Sequence, residues 1–230
     1  MATPSVAGGR LFVMGSRRWV EVADWPPPAT VERWNLHAEG RLSQTVPTNC
    51  ACDRFRFDPA DPTPGTGGPS LDRSNAGRKD QRHREKRSDV LIYTSEPMAQ
   101  DMTVVGPLAV ELWLRSSLEH TDISVRLCVV STKDRSYNLS DGYRRLRPGD
   151  ITPAADGTLH LRVAMWPTAV TFRHGERIRL QVAGGAHPLF ARNLGTGEPI
   201  ATARVMRAAD VEVFHDPEHP SGLELPVSPI

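Results

Sequence analysis

From residue 89 onward, apolar and polar side chains alternate with a period of two, the pattern of strands that bury one face. Across residues 108–116, Leu108, Val110, Leu112 and Leu114 point one way, and Ala109, Glu111, Trp113 and Arg115 the other. Ile123, Val125, Leu127 and Val129 alternate in the same way with Ser124, Arg126 and Cys128. The pattern recurs with Leu159, Leu161, Val163 and Met165 against His160, Arg162 and Ala164, and with Ile178, Leu180 and Val182 against Arg177, Arg179 and Gln181. Val211, Val213 and Phe214 close the series less cleanly. Asp/Gly/Pro turns separate these segments and no amphipathic helix stands among them, which predicts an all-β, antiparallel chain. One apolar face per strand is best buried by packing two sheets face to face. Spacings of roughly 10 to 20 residues suit Greek-key or jelly-roll connections, so the expected fold is a jelly-roll β-sandwich.

Upstream the pattern changes. Residues 10–15 (RLFVMG) predict a short strand, and Pro26, Pro27 and Pro28 impose an extended segment that cannot donate hydrogen bonds. Trp19, Trp25 and Trp34 flank it at spacings that fit neither one helix nor one strand, as anchors pinning an irregular arm to its neighbour or, alternatively, as a ligand or partner patch. Phe55 and Phe57 alternate with Arg54 and Arg56 as a brief strand. The following stretch carries Pro59, Pro62, Pro64 and Pro69 with Gly65, Gly67, Gly68 and Gly77, and holds no regular structure. A loop this long is functional, a lid or a linker. The chain thus divides into residues 1–52, an N-terminal strand with a Trp/Pro-rich arm, and residues 53–230, the sandwich. Residues 80–117 carry the change from charged loop to core strand.

Composition narrows the function classes. A chain of 230 residues buries a core without a disulfide or metal staple. Its net charge of +1 gives no field that steers it to nucleic acid or an anionic membrane. Cys50, Cys52 and Cys128 form no even disulfide framework, and no second Cys/His pair completes Cys50-Ala51-Cys52 as a metal site. The first nine residues lack a signal-peptide pattern and no apolar run reaches membrane length, so a cytoplasmic location is expected. The basic run at residues 78–87 (RKDQRHREKR) lacks stacking aromatics and reads as a solvated loop with internal ion pairs.

Catalytic motifs are missing: there is no G-x-S-x-G elbow, phosphate loop, dinucleotide fingerprint or H-E-x-x-H. His215 and His219 are four apart, but Pro217 between them disfavours a helix that would align them on a metal. No catalytic residue, metal site or cofactor is therefore assigned. Asp122 reads equally as a buried carboxylate or a surface turn residue.

Nine segments in order carry a resemblance. They are RLFVMGSRRW (10–19), DWPPP (24–28), FDPADPTPGTGG (57–68), DQRHREKRSDVLIYTSEPM (80–98) and VVGPLAVELWLRSS (104–117). TDISVRLCVV (121–130), SYNLSDGYRRLRPG (136–149), GERIRLQVAGGAHPLFARNLGTGEP (175–199) and HDPEHPSGLELPV (215–227) complete them. The series resembles the C-terminal domain of the CocE/NonD serine hydrolases, a family that includes X-Pro dipeptidyl-peptidases, cocaine-esterase-like acyl esterases and glutaryl-cephalosporin acylase-like enzymes. The resemblance implies a galactose-binding-like jelly roll packed on an α/β-hydrolase domain, which supplies the Ser, Asp and His of the triad. None of the matching segments holds a triad position. The partner domain is expected in cis if the chain is a fragment and in trans if the gene is split, and a homodimer contact is also implied. Residues 67–80 are the segment implied to wall the active-site cleft, with Gly68, Leu71 and Asp72 lining it. The expected function is that of an accessory domain. The alternative from another class is a free-standing carbohydrate- or ligand-binding sandwich, which calls for exposed aromatics such as Trp166 on sandwich edges.

Overall fold

The computed structural model describes residues 6–49 and 52–230, so Cys50 and Ala51 of the Cys-Ala-Cys element lie outside the described residues. The strands are β1 (Val6–Val13), β2 (Arg18–Trp25), β3 (Thr30–His37), β4 (Arg41–Ser43), β5 (Cys52–Phe57), β6 (Val90–Thr94) and β7 (Met102–Ser116). They continue with β8 (Thr121–Val130), β9 (Ser136–Leu146), β10 (Leu159–Phe172), β11 (Arg177–Ala183), β12 (Ala209–Phe214) and β13 (Gly222–Val227). Among the described residues, helix is confined to one turn, α1 (Arg82–Glu85), and a 3-10 turn at Ala38–Gly40. No helix among the described residues is long and apolar enough to cross a membrane.

The strands build the β-sandwich that the alternation calls for. One sheet runs β9-β8-β11-β6. In the other, β10 pairs along β7 on one side, while β13-β3-β4 and β12-β5 share the opposite side of β7. Two single residue pairs, Met165 with Gly142 and Arg41 with Thr94, join the sheets, so the ladder of strands closes on itself. Val110, Leu112 and Leu114 of β7 meet Ile123, Val125 and Leu127 of β8 and Leu180 and Val182 of β11 in one continuous apolar cluster, all with no exposed surface. Each such side chain contributes about 1.5–3 kcal/mol by leaving water.

The N-terminal segment is more regular than its prolines and tryptophans suggest. β1 and β2 pair as an antiparallel hairpin from Val13 opposite Arg18 to Val6 opposite Trp25. After the proline run, β3 pairs with β13 on one side and β4 on the other. β3 and β4 lie upstream of residue 52 yet belong to the sandwich sheet, so the sheet has no break at that division. Local pattern hides this because the partners are remote: β13 is almost at the other end of the chain. β13 also carries Pro226, a residue that argues against a central strand because it donates no ladder bond. The strand accommodates it at a register shift between Glu224 and Val227, where pairing with β7 is interrupted.

The second departure concerns the outward face of β8. The alternation places Ser124, Arg126 and Cys128 on a polar face, yet every residue from Thr121 to Val130 is buried. The loop of residues 58–89 covers that face.

Candidate functional site

The covering loop is held by a buried layer of polar side chains. Lying over a sheet, its backbone needs hydrogen-bond partners that water no longer provides, and Arg126 of β8, Asn138 of β9 and the loop's own Gln81 and Arg84 supply them. Arg126 pairs with Asp141 and donates to Gln81 Oε1 at 2.7 Å and to the Thr66 carbonyl. Gln81 Nε2 donates to the carbonyls of Thr66 and Lys79, both at 3.1 Å. Asn138 receives the Lys79 N–H at 2.7 Å and donates to the Gly77 carbonyl at 3.1 Å. Glu85 accepts from Arg179 Nη1 at 2.6 Å and from Gln181 Nε2 at 2.8 Å. Arg84 is fully buried, and among the described residues it donates to neutral acceptors, Pro64 O at 3.0 Å and Gln181 Oε1 among them. Burial, and then the charge of nearby Arg126, lower its pKa to about 10, so it is still a cation at neutral pH.

This layer positions a projecting turn. Gly68 and Gly77 exchange backbone hydrogen bonds of 2.8 and 2.9 Å, closing the base of residues 69–76. Gly67 and Gly68 have φ of +78° and +75°, where a side chain is strained. A Cβ on Gly68 would also lie 2.6 Å from Asp141 Oδ2. The structure brings Gly68, Leu71 and Asp72 into this one turn and gives them different tasks. Gly68 shapes the base against β9. Asp72 is exposed and accepts the Ser74 N–H at 2.9 Å and its hydroxyl at 2.8 Å, which hold the carboxyl below its usual pKa and stiffen the tip. Leu71 is fully exposed and makes the apolar surface.

Leu71 belongs to a set of exposed large apolar side chains on segments that meet along β9. Phe12 and Trp19 pack edge to face on the β1–β2 hairpin, 5.5 Å between ring centroids, and Trp19 is 61% exposed. Trp166, 64% exposed, sits where the pairing of β10 with β7 shifts, and its carbonyl accepts the Ser140 hydroxyl of β9. A cavity of about 450 Å³ is lined by Phe12 and Met14 from the hairpin, Arg78 from the loop and Leu139 from β9.

The ionisable residues singled out from the sequence are dispersed. His215 is buried with Nε2 3.0 Å from Asp53 Oδ2, to which Tyr93 also donates at 2.8 Å. Burial opposes ionisation of Asp53, but the bonds from His215 and Tyr93 prevail and its pKa is lowered. His219 faces Asp216 through Nδ1 and Asp156 through Nε2, away from His215. No group of three His, Cys, Asp or Glu stands together to hold a metal among the described residues. Ser43 Oγ lies 2.9 Å from His37 Nε2, a serine–imidazole contact that no motif announced. The same Nε2 faces the Thr45 carbonyl at 3.1 Å, which requires the proton on that nitrogen, so it has no lone pair with which to deprotonate the serine. Asp122 is decided: it is buried and accepts from Arg145, Tyr143 and Asn193.

Arg84, Gln81 and Asn138 were not legible as site-building residues. Gln81 and Arg84 lie in the charged run of the loop and Asn138 on β9, where local pattern does not separate a buried polar side chain from a solvated one.

The described residues form a β-sandwich in which one sheet wears an ordered loop beside exposed aromatics. The profile described as "X-Pro dipeptidyl-peptidase C-terminal non-catalytic domain" matches residues 2–224, and the chain belongs to that family. It is 32% identical over 236 residues to cocaine esterase of Rhodococcus sp. (strain MB1 Bresler), covering 95% of this chain and 41% of that protein. A selenomethionine-labelled α-amino acid ester hydrolase superposes with a TM-score of 0.86 at 26% identity, over 95% of this chain and 41% of that one. An aminopeptidase from the marine sediment archaeon Thaumarchaeota archaeon gives a TM-score of 0.85 at 26% identity, over 95% and 40%. The chain spans about two-fifths of the length of these relatives. It is thus the non-catalytic C-terminal domain type of CocE/NonD hydrolases, and the remainder of its relatives is a separate region.

Proposed function

We propose that this chain serves an α/β-hydrolase domain that hydrolyses an ester or amide, packing on that domain and walling its cleft with the turn at residues 69–76. The observation that carries this reading is the family match across nearly the whole chain, set against the two-fifths it covers in its relatives. The exposed Phe12, Trp19, Leu71 and Trp166 support it, since apolar surface of this kind marks an interaction site. The catalytic serine acts from the other domain. A galactose-binding-like ancestry and a homodimer contact belong to the same proposal.

Two measurements test it. The isolated chain, given p-nitrophenyl esters and X-Pro-nitroanilides, is expected to give no turnover; turnover abolished by a serine-directed phosphonate would overturn the reading. In a chimera, this chain replaces the matching region of the Rhodococcus esterase. Ester turnover above that of the truncated esterase is the expected result, and a soluble chimera no better than the truncation counts against the proposal.

A further inference from the structure

The turn at residues 69–76 is fixed at its two ends and almost free between them. On the incoming side, the Thr66 carbonyl is held by Arg126 and by Gln81 Nε2 at 3.1 Å. On the outgoing side, the Gly77 carbonyl accepts from Asn138 Nδ2 at 3.1 Å, and Asn138 Oδ1 receives the Lys79 N–H at 2.7 Å. The chain enters through Gly67 and Gly68 at φ of +78° and +75° and leaves through Gly77 at +78°, three positions with no Cβ to restrict the backbone. Inside the turn the hydrogen bonds are local: the Ser70 hydroxyl accepts the Asp72 N–H, the Asp72 carboxylate accepts from Ser74, and the Asp72 carbonyl accepts the Asn75 N–H. These bonds shape the tip without setting the direction in which it points. Leu71, Asp72, Arg73 and Ser74 are all exposed.

One side chain supplies the missing link. Among the described residues, Asn75 makes the only hydrogen bonds that tie residues 69–76 to the rest of the chain: its Oδ1 accepts the Gly67 N–H at 3.0 Å, and its Nδ2 donates to the Gly65 carbonyl at 2.7 Å. The anchor point is itself held, since the Gly65 N–H donates to the His187 carbonyl at 2.7 Å. A carboxamide suits the place because one planar group both accepts and donates. A carboxylate there would accept the Gly67 N–H but would have no proton to give the Gly65 carbonyl.

We propose that Asn75 is the positioning residue of this turn, clasping its tip to Gly65 and Gly67 and so setting the angle at which Leu71 and Asp72 are presented. The inference rests on the reading that the turn walls the cleft of an α/β-hydrolase domain. On that reading Asn75 touches no substrate and acts through the tip. A displaced wall weakens the hold on substrate in the ground state and the transition state alike, so the loss falls on KM and spares kcat.

Two experiments test it. In the first, trypsin is applied to the folded 230-residue chain, and cleavage after the exposed Arg73 is followed by mass spectrometry. Asn75→Ala removes both bonds and is expected to speed that cleavage about tenfold; Asn75→Asp removes the donor and should speed it less. Cleavage after Lys133, exposed in the turn between β8 and β9, is the internal control and keeps the parent rate. Circular dichroism establishes that each variant is folded. In the second, the chimera with the Rhodococcus esterase is given a p-nitrophenyl ester. Asn75→Ala is expected to raise KM about fivefold with kcat within about twofold, and Asn75→Asp to raise KM less. A merely structural defect would reduce the amount of active enzyme and leave KM as it was. Cleavage after Arg73 at the parent rate in a folded Asn75→Ala chain overturns the proposal. So does an active chimera whose KM is unmoved by Asn75→Ala. A chimera of the unmodified chain no better than the truncated esterase counts against the cleft reading instead, and the digestion alone then decides the clasp.

Discussion

Asp122 carries more of the structure than its place at a strand start suggests. Its carboxylate is fully buried and takes the Arg145 guanidinium at 2.9 and 2.8 Å, the Tyr143 hydroxyl, and the Asn193 amide at 2.9 Å. Asn193 lies in the long connection between β11 and β12, so one side chain fastens that connection to β8 and β9. Removing one partner of such a pair strands the rest, and Asp122→Ala is expected to cost about 3 kcal/mol in a urea unfolding titration. Asp53 yields a pH prediction. Its folded-state pKa lies below the ordinary carboxyl value of 3.8, so its bonds to His215 and Tyr93 stabilise the fold above that value. That contribution is lost as the pH falls through the lowered value. Asp53→Asn is therefore expected to lower stability by roughly 1–3 kcal/mol at neutral pH. Urea midpoints of variant and parent should converge as the pH is taken below the carboxyl range. A gap that persists in acid would contradict the assignment. Neither role was legible in the sequence, because Asp53 and His215 are 162 residues apart.

At the scale of elements, the loop over β8, β9 and β11 is the least conventional part. Regular loops satisfy their backbone with water, whereas this one is satisfied by Arg126, Gln81, Asn138 and Arg84. Gly68→Ala places a Cβ against Asp141 at a positive φ and is expected to cost about 1–2 kcal/mol, with faster proteolytic cleavage within residues 69–76. Leu71→Ser in the same turn should leave stability within about 0.5 kcal/mol, since nothing packs on that side chain. The contrast separates the residue that shapes the turn from the one that presents surface. The sequence showed the loop through its Pro and Gly content, but its order depends on acceptors and donors on strands far along the chain. Strand β9 was missed as a pattern for the same reason: Asn138, Ser140 and Asp141 are buried polar residues, not a solvated face.

Over the whole molecule, the closed ladder leaves few places for another domain to pair by strands, so association falls to side-chain surfaces. The hairpin with Phe12 and Trp19, the turn with Leu71 and the shift at Trp166 are such surfaces. The triple variant Trp19→Ser/Leu71→Ser/Trp166→Ser is expected to keep the thermal midpoint of the isolated chain. It should also bind less of a hydrophobic dye and lose the gain in esterase turnover in the chimera. A lowered midpoint would instead mark these side chains as part of the fold.

By itself the sequence determined the β-sandwich, the inward faces of β7, β8, β10 and β11, and the family. The first two follow because a half-buried strand must repeat every second residue. Family membership follows from ordered segments spread over nearly the whole chain. Only the tertiary structure decided that β3, β4 and β13 enter the sheet, that the outward face of β8 is buried, and that Asp122 is an anchor. These depend on hydrogen bonds between residues such as Gln81 and Arg126, 45 apart, or Arg84 and Gln181, 97 apart. A polar side chain bonded across such a distance has the same local pattern as one bonded to water, and only the fold distinguishes them.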